Sequence, residues 1–402
     1  MMIFSRQTLE KYADVMLWGL ETARKGGRLN PYEAVMLRYD PAALPLAEAV
    51  HRRLLKRRLN VVLRAGASPD MEKDFYQLAD NRQLAFVDKG QKELVESLNG
   101  YIALIAPTSL THLKGVEPRK FGVSALARKF LKDIFDKREA AGRFSWTLCM
   151  YPTEELARQA GISIRKFAEQ VECATFIDQP RPVEKWKLIF RQSARIKKGL
   201  NSLPIETLHI RSRNIDLKVR LGEKRRFVGI SGHNIPSFEI FTSPDWRGTE
   251  GVYYSDLPSF RTGNLVKGVR LHFRKGRVVK VTATKGQEYV RKTLKTDSGA
   301  CQLGEFSLTD RRFSRISRFM ANTLFDENFG GRNGNCHLAV GSAYAETFTG
   351  SSKTLTPALR KRLGFNDSSV HWDLVNTEDK VVTAVLKGGE TVTLYEKGQF
   401  RV

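Results

Sequence analysis

Apolar residues recur with different spacings along the chain, and the spacing changes between its halves. In the first half, "TLEKYADVMLWGLETARKGG" has apolar residues at helical spacing, whereas "YEAVMLRY" and "LNVVLRAG" are short apolar runs typical of buried strands. Two more strand-like runs, "GYIALIAP" and "FSWTLCMYP", are each followed by helical material. This alternation predicts an α/β N-terminal domain with a parallel sheet over residues 1–200.

The pattern changes after Leu203 and Pro204. Segments such as "ETLHIRS", "NIDLKVRLG" and "VRLHFRKGRVVKVTATKG" predict paired strands, and "KGGET" is a plausible hairpin turn. In this half "QEYVRKTLKT" and "RRFSRISRFMANTLF" have helical spacing. The second half is therefore predicted to be a β-rich α+β C-terminal domain over residues 201–402, with the domain boundary near residue 200.

The chain is strongly basic. It has 402 residues, with 67 Lys and Arg against 43 Asp and Glu, a net charge of +24. Such a protein attracts polyanions, so a basic nucleic-acid-binding protein is one hypothesis. The basic run "HRRLLKRRLNVVLR" is equally well explained as the solvated face of an amphipathic helix. No GxGxxG or P-loop follows a predicted strand, so the motifs do not indicate nucleotide binding.

The sequence also favours a cytoplasmic protein without a membrane segment. Charged residues interrupt the N-terminal "MMIFSRQTLEKYADVMLWGL", and the apolar run "YIALIAP" is too short to span a bilayer. The four cysteines form no CxxC pair, which fits a reducing compartment and argues against a thiolate metal site. They are Cys149, Cys173, Cys301 and Cys336.

Acidic residues and histidines in the second half occur in apolar surroundings. Glu239 lies in "SFEIF" and Glu305 in "LGEFSL", and burying a carboxylate is costly unless it is paired or binds a cation. In "VHWDL", His371 and Asp373 share one face of a strand. His337 lies where a Gly/Asn-rich loop enters the apolar "CHLAV". Taken singly, these residues are also explained as solvent-facing edge carboxylates and hydrogen-bonded histidines.

Taken together, the five residues provide three carboxylates and two imidazoles. This mixed oxygen and nitrogen set suits zinc, cobalt, manganese or magnesium. Three carboxylates exceed what one hydrolytic zinc usually needs, so the set favours two divalent metal ions that share a bridging carboxylate. Such a centre indicates amide hydrolysis.

The motifs that carry these residues resemble those of a known family. "NIPSFEIFTSPD", "LGEFSLT", "LFDENFGGRNGNCHLAVGSAY" and "VHWDL" occur in the same order as the metal-site motifs of the thermophilic-type metalloaminopeptidases, namely aminopeptidase T, aminopeptidase S and PepS. The resemblance covers the second half well, and the first half agrees in its α/β character. It implies that two divalent metal ions are held by Glu239, Glu305, His337, His371 and Asp373, with Glu305 as the bridging ligand.

The resemblance also implies roles for two further residues. Glu327 matches the family's general base, and Tyr344 matches a tyrosine that stabilises the oxyanion. Seven residues separate His337 from Tyr344, so Gly341 is predicted to bend the chain and bring both to the centre. The family further implies a homodimer that removes single residues from peptides with a free N-terminus. The alternatives are a nucleic-acid-binding protein on a peptidase-like scaffold and a metal hydrolase of another amide.

Overall fold

The structure is a computed structural model that describes residues 3–351 and 354–402. The chain divides into two compact units. The first comprises Met1–Trp186 and Ser231–Ser237, and the second comprises Lys187–Ile230 and Phe238–Val402. The domain boundary near residue 200 stays a prediction from the sequence. Helices and strands are numbered below in chain order.

The first unit is built on a parallel sheet of five strands in the order β2-β1-β3-β4-β7. Its strands are β1 (Ala34–Tyr39), β2 (Asn60–Ala65), β3 (Gly100–Ile105), β4 (Ser145–Met150) and β7 (Asn234–Ile235). Its helices are α1 (Arg6–Ala23), α2 (Leu44–Lys56), α3 (Pro69–Leu78), α4 (Asn81–Leu84), α5 (Gln91–Ser97), α6 (Pro118–Ala140), α7 (Glu154–Ala160) and α8 (Ile164–Thr175). The predicted parallel α/β sheet is confirmed.

Local chemistry explains how α1 begins and why α2 packs beside it. Ser5 caps α1 by accepting a hydrogen bond from the backbone N–H of Thr8. Basic residues in and just after α2 form ion pairs with carboxylates of α1, including Arg53 Nε to Asp14 Oδ1 at 2.8 Å and, at the residue after α2, Arg57 Nη2 to Glu21 Oε1 at 2.7 Å. Much of the basic run in α2 is therefore neutralised by the neighbouring helix.

The chain passes from the first unit to the second within α9 (Pro182–Ser202). An antiparallel sheet of eight strands follows in the order β13-β12-β9-β6-β5-β17-β18-β19. Its strands are β5 (Ile205–Ser212), β6 (Asp216–Arg220), β9 (Thr249–Ser255), β12 (Val269–Arg274), β13 (Arg277–Thr282), β17 (Lys380–Leu386), β18 (Thr391–Glu396) and β19 (Gln399–Phe400). The predicted β-rich character of this half is confirmed.

A second antiparallel sheet has four strands in the order β16-β15-β14-β8. These are β8 (Glu239–Thr242), β14 (Leu303–Thr309), β15 (Asn335–Gly341) and β16 (His371–Asn376). A hairpin of β10 (Ser259–Arg261) and β11 (Asn264–Val266) and the helices α10 (Gln287–Thr293), α11 (Thr323–Asp326) and α12 (Pro357–Leu363) complete this unit. Every residue of β8, β14 and β15 is buried.

One predicted helix is wrong. In "RRFSRISRFMANTLF" only the last residues are helical, as the start of α11. The hydrogen-bonding groups of this segment find partners further along the chain: Ser314 donates to the carbonyl of Asn328, and the backbone N–H of Met320 donates to Asp326. The apolar spacing reflects residues that are buried one by one in an irregular segment.

No helix within the described ranges is both long and apolar enough to cross a membrane.

Candidate metal centre

The register of the four-stranded sheet brings three predicted ligands to one face. Residues opposite each other in an antiparallel pair share a face, as do residues two apart on one strand. Glu305, Ser307 and Thr309 therefore lie on one face of β14. His337 is opposite Ser307, and Glu239 is opposite Thr309, so both point to that same face.

The fourth strand adds the remaining two. On β15, Ala339 and Gly341 lie on the same face as His337. Asp373 is opposite Ala339, and His371 is opposite Gly341. Strand pairing alone thus places all five predicted ligands on one face of one sheet.

Three of these side chains meet closely. The Nε2 atom of His337 lies 3.0 Å from Oε1 of Glu305 and 3.2 Å from Oε2 of Glu239. The exposed fraction is 1% for His337, 3% for Glu305 and 8% for Glu239. Each offers one ligand atom, and these atoms lie within 4.8 Å of one another. The three residues form a group with the donor types and spacing of a metal site.

The other two side chains lie on the far side of Glu305. His371 Nε2 is 3.3 Å from Oδ1 of Asp373 and 3.8 Å from Oε2 of Glu305. The other ring nitrogen, Nδ1, lies 2.9 Å from the carbonyl oxygen of Ser342, which can only accept, so Nδ1–H is the donor. This bond fixes the ring so that Nε2 faces the carboxylates, as is usual for metal-binding histidines.

Burial leaves unsatisfied polar atoms at this face. Oε2 of Glu305 and Nδ1 of His337 are buried and make no hydrogen bond within the described part of the chain. A buried carboxylate oxygen without a donor is costly, and a cation removes that cost. The chemistry of the donor set and the orphaned Glu305 oxygen both fit a divalent metal.

Two carboxyl groups of the site have raised pKa values. Burial raises the pKa of Glu305 to about 7, although the hydrogen bond from His337 opposes this shift. Burial also raises the pKa of Glu327 well above its usual value, and the negative charges of Glu239 and Asp373 raise it further. Desolvation is the main physical reason in both cases, and nearby negative charge adds to it more strongly at Glu327.

The histidines shift in the same direction. Burial lowers the pKa of His337, but its bonds to Glu239 and Glu305 outweigh this and raise it well above the usual value. Burial also lowers the pKa of His371, but the negative charge of Asp373 outweighs this effect and raises the pKa to about 9. Burial raises the pKa of Asp373, but the charge of His371 outweighs burial and lowers this pKa to about 2. The metal-free site thus holds protons at neutral pH in place of a cation.

Glu327 lies just beyond the end of α11 and borders this group. Its side chain is buried, with 8% exposed. Its backbone carbonyl accepts hydrogen bonds from Asn335 Nδ2 at 3.0 Å and Thr309 Oγ1 at 3.3 Å. The turn that carries Glu327 is therefore tied to both β14 and β15.

Tyr344 reaches the site because β15 ends at Gly341. Gly341 has φ +103°, a conformation that favours glycine, and an added Cβ would collide with the carbonyl oxygen of Val370. The backbone N–H of Tyr344 then donates to Ser243 Oγ at 2.9 Å. Its ring packs edge-on to that of His371, with centroids 4.7 Å apart, and 44% of the residue is exposed.

Comparison with known proteins shows the family to which the chain belongs. A model of the thermophilic metalloprotease family (M29) matches residues 5–400. The chain belongs to this family. As a metalloprotease it uses a divalent metal, and the predicted family resemblance is confirmed.

Curated relatives match over most of their length. Aminopeptidase T of Thermus thermophilus is 31% identical over 312 residues, covering 72% of this chain and 74% of that protein. Aminopeptidase AmpS of Bacillus subtilis is 27% identical over 330 residues, covering 78% and 79%. Aminopeptidase PepS of Streptococcus thermophilus is 23% identical and covers 98% of both chains.

A solved structure has the same fold. Wild-type AmpT from Thermus thermophilus superposes with a TM-score of 0.80 and covers 98% of this chain and 99% of that chain. At 24% sequence identity this likeness concerns the fold. It agrees with the combination of a parallel sheet and antiparallel sheets in this metalloprotease.

Several supporting residues of the metalloprotease were missed by sequence reasoning. Asn335 and Ser243 anchor Glu327 and Tyr344, as described above. Arg261, on the β10–β11 hairpin, donates to the carbonyl oxygen of His371 at 2.7 Å across 110 positions of sequence. Asn335 stands in the "NGNC" run and had a local signal as a turn residue. The contact of Arg261 spans the hairpin and β16, and no local pattern indicates it.

We predict that Gly341→Ala destabilises the metalloprotease and weakens metal binding. The substitution forces a side chain into positive φ and against Val370, at a cost of about 1–3 kcal/mol, and it shifts the strand end that precedes Tyr344. Urea unfolding and zinc titration would measure both effects. The control is Gly388→Ala in the β17–β18 turn, where an added Cβ meets no atom within 4 Å. Equal behaviour of the two variants would contradict the role of Gly341.

We also predict that metal loading at pH 7 releases protons. With a pKa of about 9 for His371 and a raised pKa for His337, both imidazoles are protonated in the metal-free protein. A metal ion needs them neutral, so the apparent affinity falls as the pH is lowered and rises until the pH passes the raised pKa values. Zinc calorimetry in buffers of different ionisation enthalpy would count the protons. An enthalpy independent of the buffer would refute this prediction.

Proposed function

We propose that this metalloprotease is an aminopeptidase that removes single N-terminal residues from peptides. We further propose that two divalent metal ions act at the site, drawn from zinc, cobalt, manganese or magnesium. The ligands of these two ions would be Glu239, Glu305, His337, His371 and Asp373. Membership of the metalloprotease family and relatives named aminopeptidases over most of the chain support the activity.

The position of Glu305 carries the proposal of two ions. One carboxylate oxygen, Oε1, faces His337 and the other, Oε2, faces His371, at 3.0 Å and 3.8 Å. Glu239 lies beside His337, and Asp373 lies beside His371. Each oxygen of Glu305 therefore belongs to a separate set of one imidazole and two carboxylates. One set, His337 and Glu239, and the other, His371 and Asp373, would each hold one divalent ion, with Glu305 shared by both.

Bound ions supply Lewis acidity: they polarise the scissile carbonyl, lower the pKa of water and offset the carboxylate charge that raises the pKa of Glu327. Glu327 then acts as the general base. Its carboxylate accepts a proton from the attacking water and passes it to the nitrogen of the leaving peptide. Its burial against β14 and β15 excludes bulk water from that transfer.

Tyr344 is the proposed donor to the oxyanion of the tetrahedral intermediate. Desolvation, followed by the charges of Glu305 and Asp373, raises the pKa of Tyr344 well above its usual value. The phenol therefore keeps its proton and can donate it as a hydrogen bond throughout the reaction. The bond from its backbone N–H to Ser243 holds the residue in place.

The proposal extends to the cellular setting. A cytoplasmic location and a homodimer stay predictions from the sequence and the family resemblance. Ion pairs with carboxylates of α1 neutralise Arg53 and Arg57 of the basic run. The alternative of another amide substrate is separated from aminopeptidase activity by the choice of substrate below.

We predict that activity depends on divalent metal and on Glu305. Chelator-treated protein should not hydrolyse leucine or arginine anilide, and adding zinc, cobalt, manganese or magnesium should restore hydrolysis. Glu305→Gln should lose activity and bind less metal, because the amide is a poor replacement for a bridging carboxylate. Absorbance of the released aniline, elemental analysis and circular dichroism would report activity, metal content and fold.

N-acetylated leucine anilide is the control substrate for that experiment. It should remain intact, because an aminopeptidase requires a free N-terminus. Hydrolysis of the acetylated substrate at a similar rate would indicate a metal hydrolase of another amide. Near-normal turnover by Glu305→Gln would show that Glu305 is not the bridging ligand.

We predict that Glu327→Gln lowers kcat by about 10²–10⁴-fold, because it removes the general base. Metal content should stay unchanged, since Glu327 is not among the proposed ligands. Glu390→Gln, at an exposed turn position, is the matched control and should keep normal kcat. If Glu327→Gln retained full kcat, another group would have to accept the proton.

A further inference from the structure

The first unit contains a cavity at the carboxyl ends of three of its parallel strands. Its volume is about 390 Å³, within the range of small-molecule sites. Its lining comes from the segments that follow β1, β2 and β3. The polar side chains among the lining residues include Arg38, Asp40, Ser68, Glu72, Thr108 and His112.

The strand order explains why a crevice opens there. From β1 the chain crosses to β2 at the sheet edge, and from β3 it crosses to β4 in the opposite direction. In open α/β sheets, ligands bind at such a switch point, outside the carboxyl ends of the strands. Asp40 follows β1 and links it to β3 at this switch point. Its backbone N–H donates to the carbonyl oxygen of Leu104 on β3, and its Oδ2 accepts from the backbone N–H of Ala106 at 2.8 Å.

The charges that line the cavity form two ion pairs. Arg38 Nη2 lies 3.0 Å from Oδ1 of Asp40, and His112 Nε2 lies 2.8 Å from Oε2 of Glu72. In each pair one partner is mostly buried and the other more accessible: 35% of the Arg38 side chain and 44% of the Glu72 side chain are exposed, against 18% for Asp40 and 17% for His112. The cavity therefore offers a ligand one guanidinium and one carboxylate.

These charges discriminate between classes of ligand. A phosphate would be repelled by Asp40 and Glu72, and the first turn of α3 already carries Asp70 and Glu72 at its positive end. A molecule with a carboxylate and an ammonium group finds a partner for each, at Arg38 and at Glu72. The lining also includes apolar residues such as Pro41, Pro69 and Ile105, which an uncharged side chain could contact.

We propose that this cavity binds a free α-amino acid, with its carboxylate on Arg38 and its ammonium group on Glu72. The assignment of the ligand follows from the charges of the cavity. The choice of a free amino acid as the ligand to test rests on the proposed aminopeptidase function, because that activity releases free amino acids.

Equilibrium dialysis of radiolabelled L-leucine against the full-length, metal-loaded protein tests the proposal. Arg38→Gln and Glu72→Gln should each weaken a class of leucine binding by about tenfold or more, the usual effect of losing a charge-assisted hydrogen bond. Arg64→Gln is the matched control and should change nothing, because Arg64 is the register partner of Arg38 on β2 and lies outside the cavity lining. Leucine anilide hydrolysis without added leucine should be equal in all four proteins.

Ligand variants sharpen the assignment. Leucinamide lacks the carboxylate, so it should bind more weakly to the wild type and lose nothing further in Arg38→Gln. N-acetylleucine lacks the ammonium group, so it should bind more weakly than leucine to the wild type and lose no further affinity in Glu72→Gln. Unchanged leucine binding in both Arg38→Gln and Glu72→Gln would overturn the proposal. If Arg38→Gln does not fold, Glu72, whose side chain is 44% exposed, carries the test.

The two proposals fail separately. Loss of leucine binding in the Arg38 and Glu72 variants of a protein that does not hydrolyse anilides would leave this site standing and refute the proposed function. If the protein hydrolyses anilides and neither substitution changes leucine binding, the proposed function stands and this site is refuted.

Discussion

The structure depends on burying Glu239 and Glu305 beside His337 in a sheet with almost no contact with water. Ionised carboxylates are costly in such surroundings, and either protons or a cation must offset their charge. Without a cation, protons on the imidazoles offset the charge, and the raised pKa of Glu305 favours a proton there as well. A divalent metal balances it better, and membership of a metalloprotease family identifies the metal-loaded form as the working one.

The candidate ligands and the proposed catalytic groups are supported differently. All five candidate ligands lie on strands whose register fixes their positions relative to one another. Glu327 and Tyr344 lie in turns that follow α11 and β15, where the chain can adjust to substrate. Each turn is nevertheless anchored, the first by Asn335 and the second by Ser243. A rigid sheet for the metal and anchored turns for the proton transfers suit a hydrolytic centre.

The strong positive charge and the acidic site are separate features of the molecule. The acidic groups lie on one buried face of the second unit, while basic residues of α2 are paired with carboxylates of α1 in the first unit. The first unit also has a cavity of its own at the switch point of its sheet, with balanced charges. A protein with a net charge of +24 therefore presents sites whose chemistry the total charge does not describe.

The sequence by itself determined the types of the main elements and the chemistry of the candidate site. Apolar periodicity depends on neighbours along the chain, and it predicted the parallel sheet, the antiparallel strands and the shared face of His371 and Asp373. The same periodicity failed before α11, where Ser314 and Asp326 make bonds that no local pattern encodes. Only the tertiary structure decided that Glu305 lies between two histidines and that Arg261 supports His371, because strand register and long-range contacts depend on the whole fold.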